Sequence, residues 1–136
     1  MANTGVPHLI MTQDNEFFFK AAREGRLEIQ QCAECGLLRH PPTPSCATCY
    51  SLDWQTIVAE GKGKIHSFTI AHRPQDPAFE YPHAVALVDL VEGPRIVADV
   101  VETAHDELEI GLDVEVVLTE HVHGNVLPSV RKVVSK

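Results

Sequence analysis

The stretch Cys32-Ala33-Glu34-Cys35-Gly36, followed by Cys46-Ala47-Thr48-Cys49, decides how this chain is read. It holds two C-x-x-C pairs with ten residues between them. Each pair can present two sulfurs to one ion from a tight turn. Two such turns brought face to face make a tetrahedral four-thiolate site, the arrangement that suits zinc. Gly36 lets the backbone behind Cys35 turn with positive φ. The same cysteines could also hold iron in a rubredoxin-like site or form two disulfides, and the spacing favours zinc over both. Four protein ligands leave no position open for water. A zinc ion on Cys32, Cys35, Cys46 and Cys49 would therefore hold the fold and not catalyse. Pro41, Pro42 and Pro44 between the pairs leave no room for a regular helix or a long strand. So short a segment has almost no core, and metal would supply most of its folding free energy, on the order of 10 kcal/mol or more.

Toward the N-terminus the pattern changes to helical. Asp14 is the expected N-cap, Phe17 to Arg23 follow, and Gly25 is placed to stop the helix. Glu16 and Lys20 stand at i and i+4 in the favourable order. Phe17, Phe18, Ala21 and Ala22 make an apolar stripe. A helix of about three turns is marginal alone, so the stripe must pack on something. Its own domain is one answer. A partner protein is the other, with Phe17, Phe18 and Ala21 as candidate interface residues.

Toward the C-terminus the pattern is β. Lys64 to His72 is the first strand, with imperfect alternation that predicts a bulge or a change of face. His83 to Val91 is nearly continuous in apolar residues. Arg95 to Glu102 alternates, and Glu92-Gly93-Pro94 before it reads as a hairpin turn. Val114, Val116 and Leu118 mark a fourth strand. Val126, Leu127, Val130 and Val133 mark a fifth, broken by Pro128, which suits an edge or a bulge. His105 to Leu108 is expected to make one helical turn. Five strands in this span predict a small barrel, most simply an OB-fold, with a small sandwich as the alternative. The chain thus divides into a tail and amphipathic helix (1–26), a zinc ribbon (27–53) and an OB-fold domain (54–136).

With 136 residues, 44% of them hydrophobic and 22% charged, this is a folded chain of one domain or two small ones. Eleven Lys and Arg stand against nineteen Asp and Glu. Ten of the acidic residues fall between Asp89 and Glu120, where Arg95 is the only basic one. That balance disfavours nucleic acid as a partner. Lys62, Lys64, Arg73, Arg131 and Lys132 are too few and scattered for a nucleic-acid-binding zinc-ribbon/OB module, which stays the reading of another class. No apolar run approaches the roughly 20 residues that span a bilayer, so no membrane partner is expected. Met1 to Met11 lack the pattern of a signal peptide, and the expected compartment is cytoplasmic.

Catalytic machinery is hard to find. The serines sit in no nucleophile elbow. His121 and His123 read as a solvated strand end, and Gly61-Lys62-Gly63 as a turn before a strand. His66 and His72 have proton-transfer chemistry but no evident substrate. The loop from Arg73 to Pro82, stiffened by its prolines, offers Arg73, Phe79 and Tyr81 as candidate contacts for an acyl-CoA or a partner.

In their order, these features resemble a known family. The helix leads to Gly25-Arg26-Leu27, the two cysteine pairs flank Pro41-Pro42, and Trp54 is followed by Gly61-Lys62-Gly63, Ser67-Phe68-Thr69, Ala86 to Leu90 and Ile110-Gly111. This is similar to the zinc-ribbon plus OB-fold proteins of domain-of-unknown-function family 35, over roughly residues 12 to 120. Thr43 stands where the family often has Arg, and Ala47 where it often has Pro; neither change removes a metal ligand. The resemblance implies a mainly β protein with a rubredoxin-like ribbon. It also implies a non-catalytic accessory subunit that stabilises a thiolase-fold enzyme (a thiolase or side-chain aldolase) in lipid, steroid or aromatic degradation. Acyl-CoA would be a ligand of that heteromeric complex. A MaoC-like enoyl-CoA hydratase is the alternative partner. A free-standing acyl-CoA binder or hydrolase is a further reading, and the missing nucleophile weighs against the hydrolase.

Overall fold

The computed structural model describes residues 9–73 and 80–134. It is mainly β, with one helix, α1 (Glu16–Arg23), ahead of eight strands. Asn15, not Asp14, is the residue at the N-cap, and its side chain accepts the Thr12 N–H at 2.7 Å instead of capping the helix. The Thr12 carbonyl in turn accepts the Glu16 N–H. This turn moves the start of the helix one residue past the expected cap. Lys20 pairs with Glu16 at 2.7 Å. Gly25, at φ 87°, ends the helix: its N–H bonds the Ala22 carbonyl and the Arg26 N–H that of Ala21.

The three ribbon strands are β1 (Glu28–Cys32), β2 (Leu38–Arg39) and β3 (Trp54–Val58), in the order β2-β1-β3. β3 pairs with β1 along its length, from Glu28 opposite Val58 to Cys32 opposite Trp54. Hydrogen bonding thus carries the ribbon sheet to residue 58, past the expected division at 53. Gln30 lies fully buried in this sheet. It donates to the Thr43 carbonyl and accepts from the Thr43 N–H and Arg39 Nε, each at 2.9 Å. One side chain so pins the proline-rich connection that carries no ladder of its own.

The remaining strands, β4 (Lys62–Ala71), β5 (His83–Leu90), β6 (Arg95–Val100), β7 (Asp113–Glu120) and β8 (Val126–Lys132), close into the expected barrel, ordered β4-β5-β6-β8-β7. The predicted bulge lies between Ile65 and Ser67. The hairpin turn holds Gly93 at φ 116°, and a 3-10 turn spans His105–Glu107. Pro128 sits inside β8 and not at a sheet edge. It is tolerated because the parallel pairing of β8 with β6 covers only Ser129 and Val130, and so asks no N–H of Pro128. Ile65, Val88, Ile96, Val114 and Val130 fill the barrel, and the core continues through Phe18, Leu27 and Ile29 into the helix and ribbon. One glycine is required by packing. A Cβ on Gly63 would meet the Asp89 carbonyl and lie 2.8 Å from Val88 Cγ1.

Four of the ten carboxylates in the acidic stretch are paired with basic residues from elsewhere. Lys64 pairs with Asp113, Lys132 with Glu107, and Arg131 with Glu102 and Glu115. No described helix is long and apolar enough to cross a membrane.

Candidate metal centre

The four cysteines come from two turns of the same design. In the first, the Cys32 N–H bonds the Leu37 carbonyl at 2.8 Å and the Gly36 N–H bonds the Cys32 carbonyl at 3.0 Å. In the second, the Cys46 N–H bonds the Ser51 carbonyl at 3.0 Å and the Tyr50 N–H bonds the Cys46 carbonyl at 2.9 Å. Gly36 and Tyr50 occupy equivalent places, at φ 79° and 63°. Each turn buries its first cysteine and exposes its second.

The turns bring all four sulfurs within 4.8 Å of one another. Cys32 and Cys49 Sγ are 3.5 Å apart, and Cys35 and Cys46 Sγ 3.6 Å. These are no disulfides, whose sulfurs stand about 2.05 Å apart. They approach the edge of about 3.8 Å that a tetrahedron of zinc–sulfur bonds requires. The donor set therefore fits a structural zinc ion, closed by four protein ligands. Among the described residues, no other group of three or more potential ligands converges. His121 instead bonds Thr119 at 3.0 Å.

The electrostatics suit a cation. The backbone N–H groups of Cys49 and Thr48 pull the Cys46 thiol down to about 6. The N–H of Cys35, 3.5 Å from Cys32 Sγ, lowers that thiol too. The Ser51 N–H acts the same way on Cys49, yet the neighbouring Cys32 sulfur and burial push Cys49 up to about 12. The first protons leave readily and the last one does not, because negative charge accumulates in one place. A bound cation removes that obstacle and holds all four as thiolates.

The other candidate residues fall in different places. Phe18 and Ala21 are buried in the chain's own core, and Phe17 is half-buried with its ring 5.0 Å from that of Trp54. Arg73 is exposed and Tyr81 half-buried at the ends of the loop between β4 and β5; Phe79 lies outside the described residues. His66 pairs with Asp89 at 3.2 Å on the barrel surface, and Ser129 links Asp99 to Thr119. Gln30 and Tyr50 escape a motif-based reading. Gln30 gives no sequence signal. Tyr50 is detectable by laying Cys49-Tyr50 against Cys35-Gly36.

Two family models match: the ChsH2 rubredoxin-like zinc ribbon domain over residues 19–55 and the ChsH2 C-terminal OB-fold domain over 56–119. A chain of the solved Ltp2-ChsH2(DUF35) aldolase is 46% identical, with a TM-score of 0.88, over 93% of this chain and all of that one. A probable enoyl-CoA hydratase alpha subunit of Thermomonospora curvata is 50% identical over 108 residues, 79% of this chain and 34% of the relative. The 3-oxo-4,17-pregnadiene-20-carboxyl-CoA hydratase alpha subunit of Mycobacterium tuberculosis is 33% identical over 103 residues, 76% of this chain and 33% of the relative. The chain thus spans about a third of the length of these two curated relatives.

Proposed function

Since the chain belongs to the DUF35 family in its ChsH2 form, a zinc ribbon followed by an OB-fold, we propose that it is a non-catalytic accessory subunit of a thiolase-fold acyl-CoA enzyme, a thiolase or side-chain aldolase. One observation carries this reading: the likeness, end to end, to a chain of the Ltp2-ChsH2(DUF35) aldolase. The chain stabilises its catalytic partner and helps shape the acyl-CoA site in a cytoplasmic complex. Arg73, Tyr81 and Phe79 on the β4–β5 loop are the contacts assigned to the thioester or to the partner. The exposed part of Phe17 adds to the interface, with buried Phe18 and Ala21 holding α1 in place behind it. The chemistry of the described residues supports the division of labour. His66 and Ser129 engage Asp89 and Asp99 in strand-to-strand bonds, and His121 bonds Thr119 at the end of β7.

A second reading, pairing with a MaoC-like enoyl-CoA hydratase, is favoured by the 50% identity to the hydratase alpha subunit. Co-expression with a thiolase-fold subunit and, separately, with a MaoC-like subunit of the same genome tests both. The expected result is co-elution with the thiolase-fold chain and CoA-thioester turnover that needs both proteins. Co-elution with the hydratase chain alone selects the second reading, and a catalytic chain fully active without this protein defeats both.

A further inference from the structure

Among the differences between the two zinc turns, one lies at the left-handed position and is not required by the fold. Gly36 and Tyr50 hold the same left-handed position, which glycine adopts freely and a side chain does not. Tyr50 receives no compensating burial, since it is 79% exposed. A strained residue whose ring is presented to solvent points to a use outside the chain. Leu52, 71% exposed, follows two residues later, and Leu37, 39% exposed, closes the first turn. The Cys32–Cys49 and Cys35–Cys46 sulfur contacts bring the two turns together, and the Ala33 N–H bonds the Asp53 carbonyl at 3.0 Å. The apolar residues therefore share one end of the ribbon.

The two turns themselves carry charge of one sign, and the nearest basic side chain along the chain, Arg39, is engaged with Gln30 and Thr43. Glu34 and Asp53 are exposed there, and neither the stretch from Cys32 to Leu38 nor that from Cys46 to Ile57 contains Lys, Arg or His. A zinc ion held by four thiolates adds two further negative charges. Large apolar groups, an aromatic among them, inside an acidic rim fit a protein face of opposite sign.

We propose that Tyr50, Leu52 and Leu37 form the surface by which the ribbon docks onto the catalytic subunit, at an apolar cleft bordered by Lys or Arg. This assignment rests on the accessory-subunit reading and adds the location and chemistry of the contact. The test uses the zinc-loaded full chain and the thiolase-fold subunit of the same genome, with affinity measured by calorimetry and thermal stability of each variant measured in parallel. Tyr50→Gly/Leu52→Ser is expected to melt at or above the wild-type temperature, because backbone strain is relieved, and to bind about tenfold or more weakly, as loss of a central aromatic contact does. Glu34→Lys/Asp53→Lys is expected to weaken binding too and to remove most of its salt dependence. Val97→Ser, an exposed apolar position on the barrel, is expected to bind as wild type. If the wild type binds and Tyr50→Gly/Leu52→Ser binds equally well, the docking surface lies elsewhere and the accessory-subunit reading stands. If the wild type does not bind, both fall. If the chain alone sediments as a dimer that Tyr50→Gly/Leu52→Ser dissolves, the patch serves a second copy and the proposal is overturned.

Discussion

Replacing Gly63 by alanine tests the barrel where it is tightest. Gly63 is buried in β4, paired with Leu90 of β5 on one side and Val114 of β7 on the other. An alanine Cβ would meet the Asp89 carbonyl and stand 2.8 Å from Val88 Cγ1 and 3.1 Å from the Asp89 carbonyl carbon. The obstacle is mostly backbone held in the β4–β5 ladder, where Lys64 pairs with Asp89, so it cannot rotate aside as a side-chain tip could. Forcing one methyl into a filled core costs about 1–3 kcal/mol, and a backbone obstacle belongs at the top of that range. Losing glycine's unfolded-state entropy returns about 0.4–1 kcal/mol. The net cost is therefore about 2 kcal/mol, a drop of roughly 6–12 °C in melting temperature for a chain of this size. Thermal unfolding followed by circular dichroism with zinc in excess measures it, and urea unfolding should show a lower midpoint at unchanged slope. A Gly63→Ala protein melting within about 2 °C of wild type would refute the close approach of β4 to β5 and the register built on it.

Trp54, the one tryptophan, lies opposite Cys32 and stacks on Phe17, so chelating zinc or replacing buried Cys46 by serine should shift its fluorescence to the red as the ribbon loosens; an unchanged emission counts against a structural metal. Gln30→Leu removes the acceptor of the Thr43 N–H and of Arg39 Nε and one of the two donors to the Thr43 carbonyl, which Arg39 Nη2 still reaches, and should cost about 1 kcal/mol, read as a lowered urea midpoint. His40 packs its ring 5.1 Å from that of Phe18, and burial lowers its pKa below the usual 6.5. The unfolded chain then takes up a proton that the folded chain resists. Stability is full above about 6.5 and falls as pH drops below it, and His40→Phe should flatten that part of a melting-temperature profile between pH 7.5 and 5.

Much of the architecture was legible because it rests on local rules. The C-x-x-C spacing presents sulfurs in pairs, Gly25 ends a helix, Gly93 turns a hairpin, and apolar runs or alternation bounded by turn residues mark the five barrel strands. Misreadings arose where a partner distant in sequence decides the outcome. Asp14 and Asn15 are equally good caps by type, and the Thr12 turn chose between them. Pro128 marks an edge or a bulge by type, and that its flank is left open inside a closed barrel follows only from the β8–β6 pairing, which covers Ser129 and Val130 alone.

By itself, the sequence determined the four cysteines as a metal-binding set, the five barrel strands in their order along the chain and the acidic charge, since each follows from residue type and spacing. Only the tertiary structure decided that the aromatic stripe of α1 is mostly spent inside the chain, that Trp54–Val58 completes the ribbon sheet, and that the acidic stretch is laced to Lys64, Arg131 and Lys132. It also placed Tyr50 in the strained twin position of Gly36. These are relations between residues far apart in the chain, and they come into being only when burial and hydrogen bonding bring those residues together.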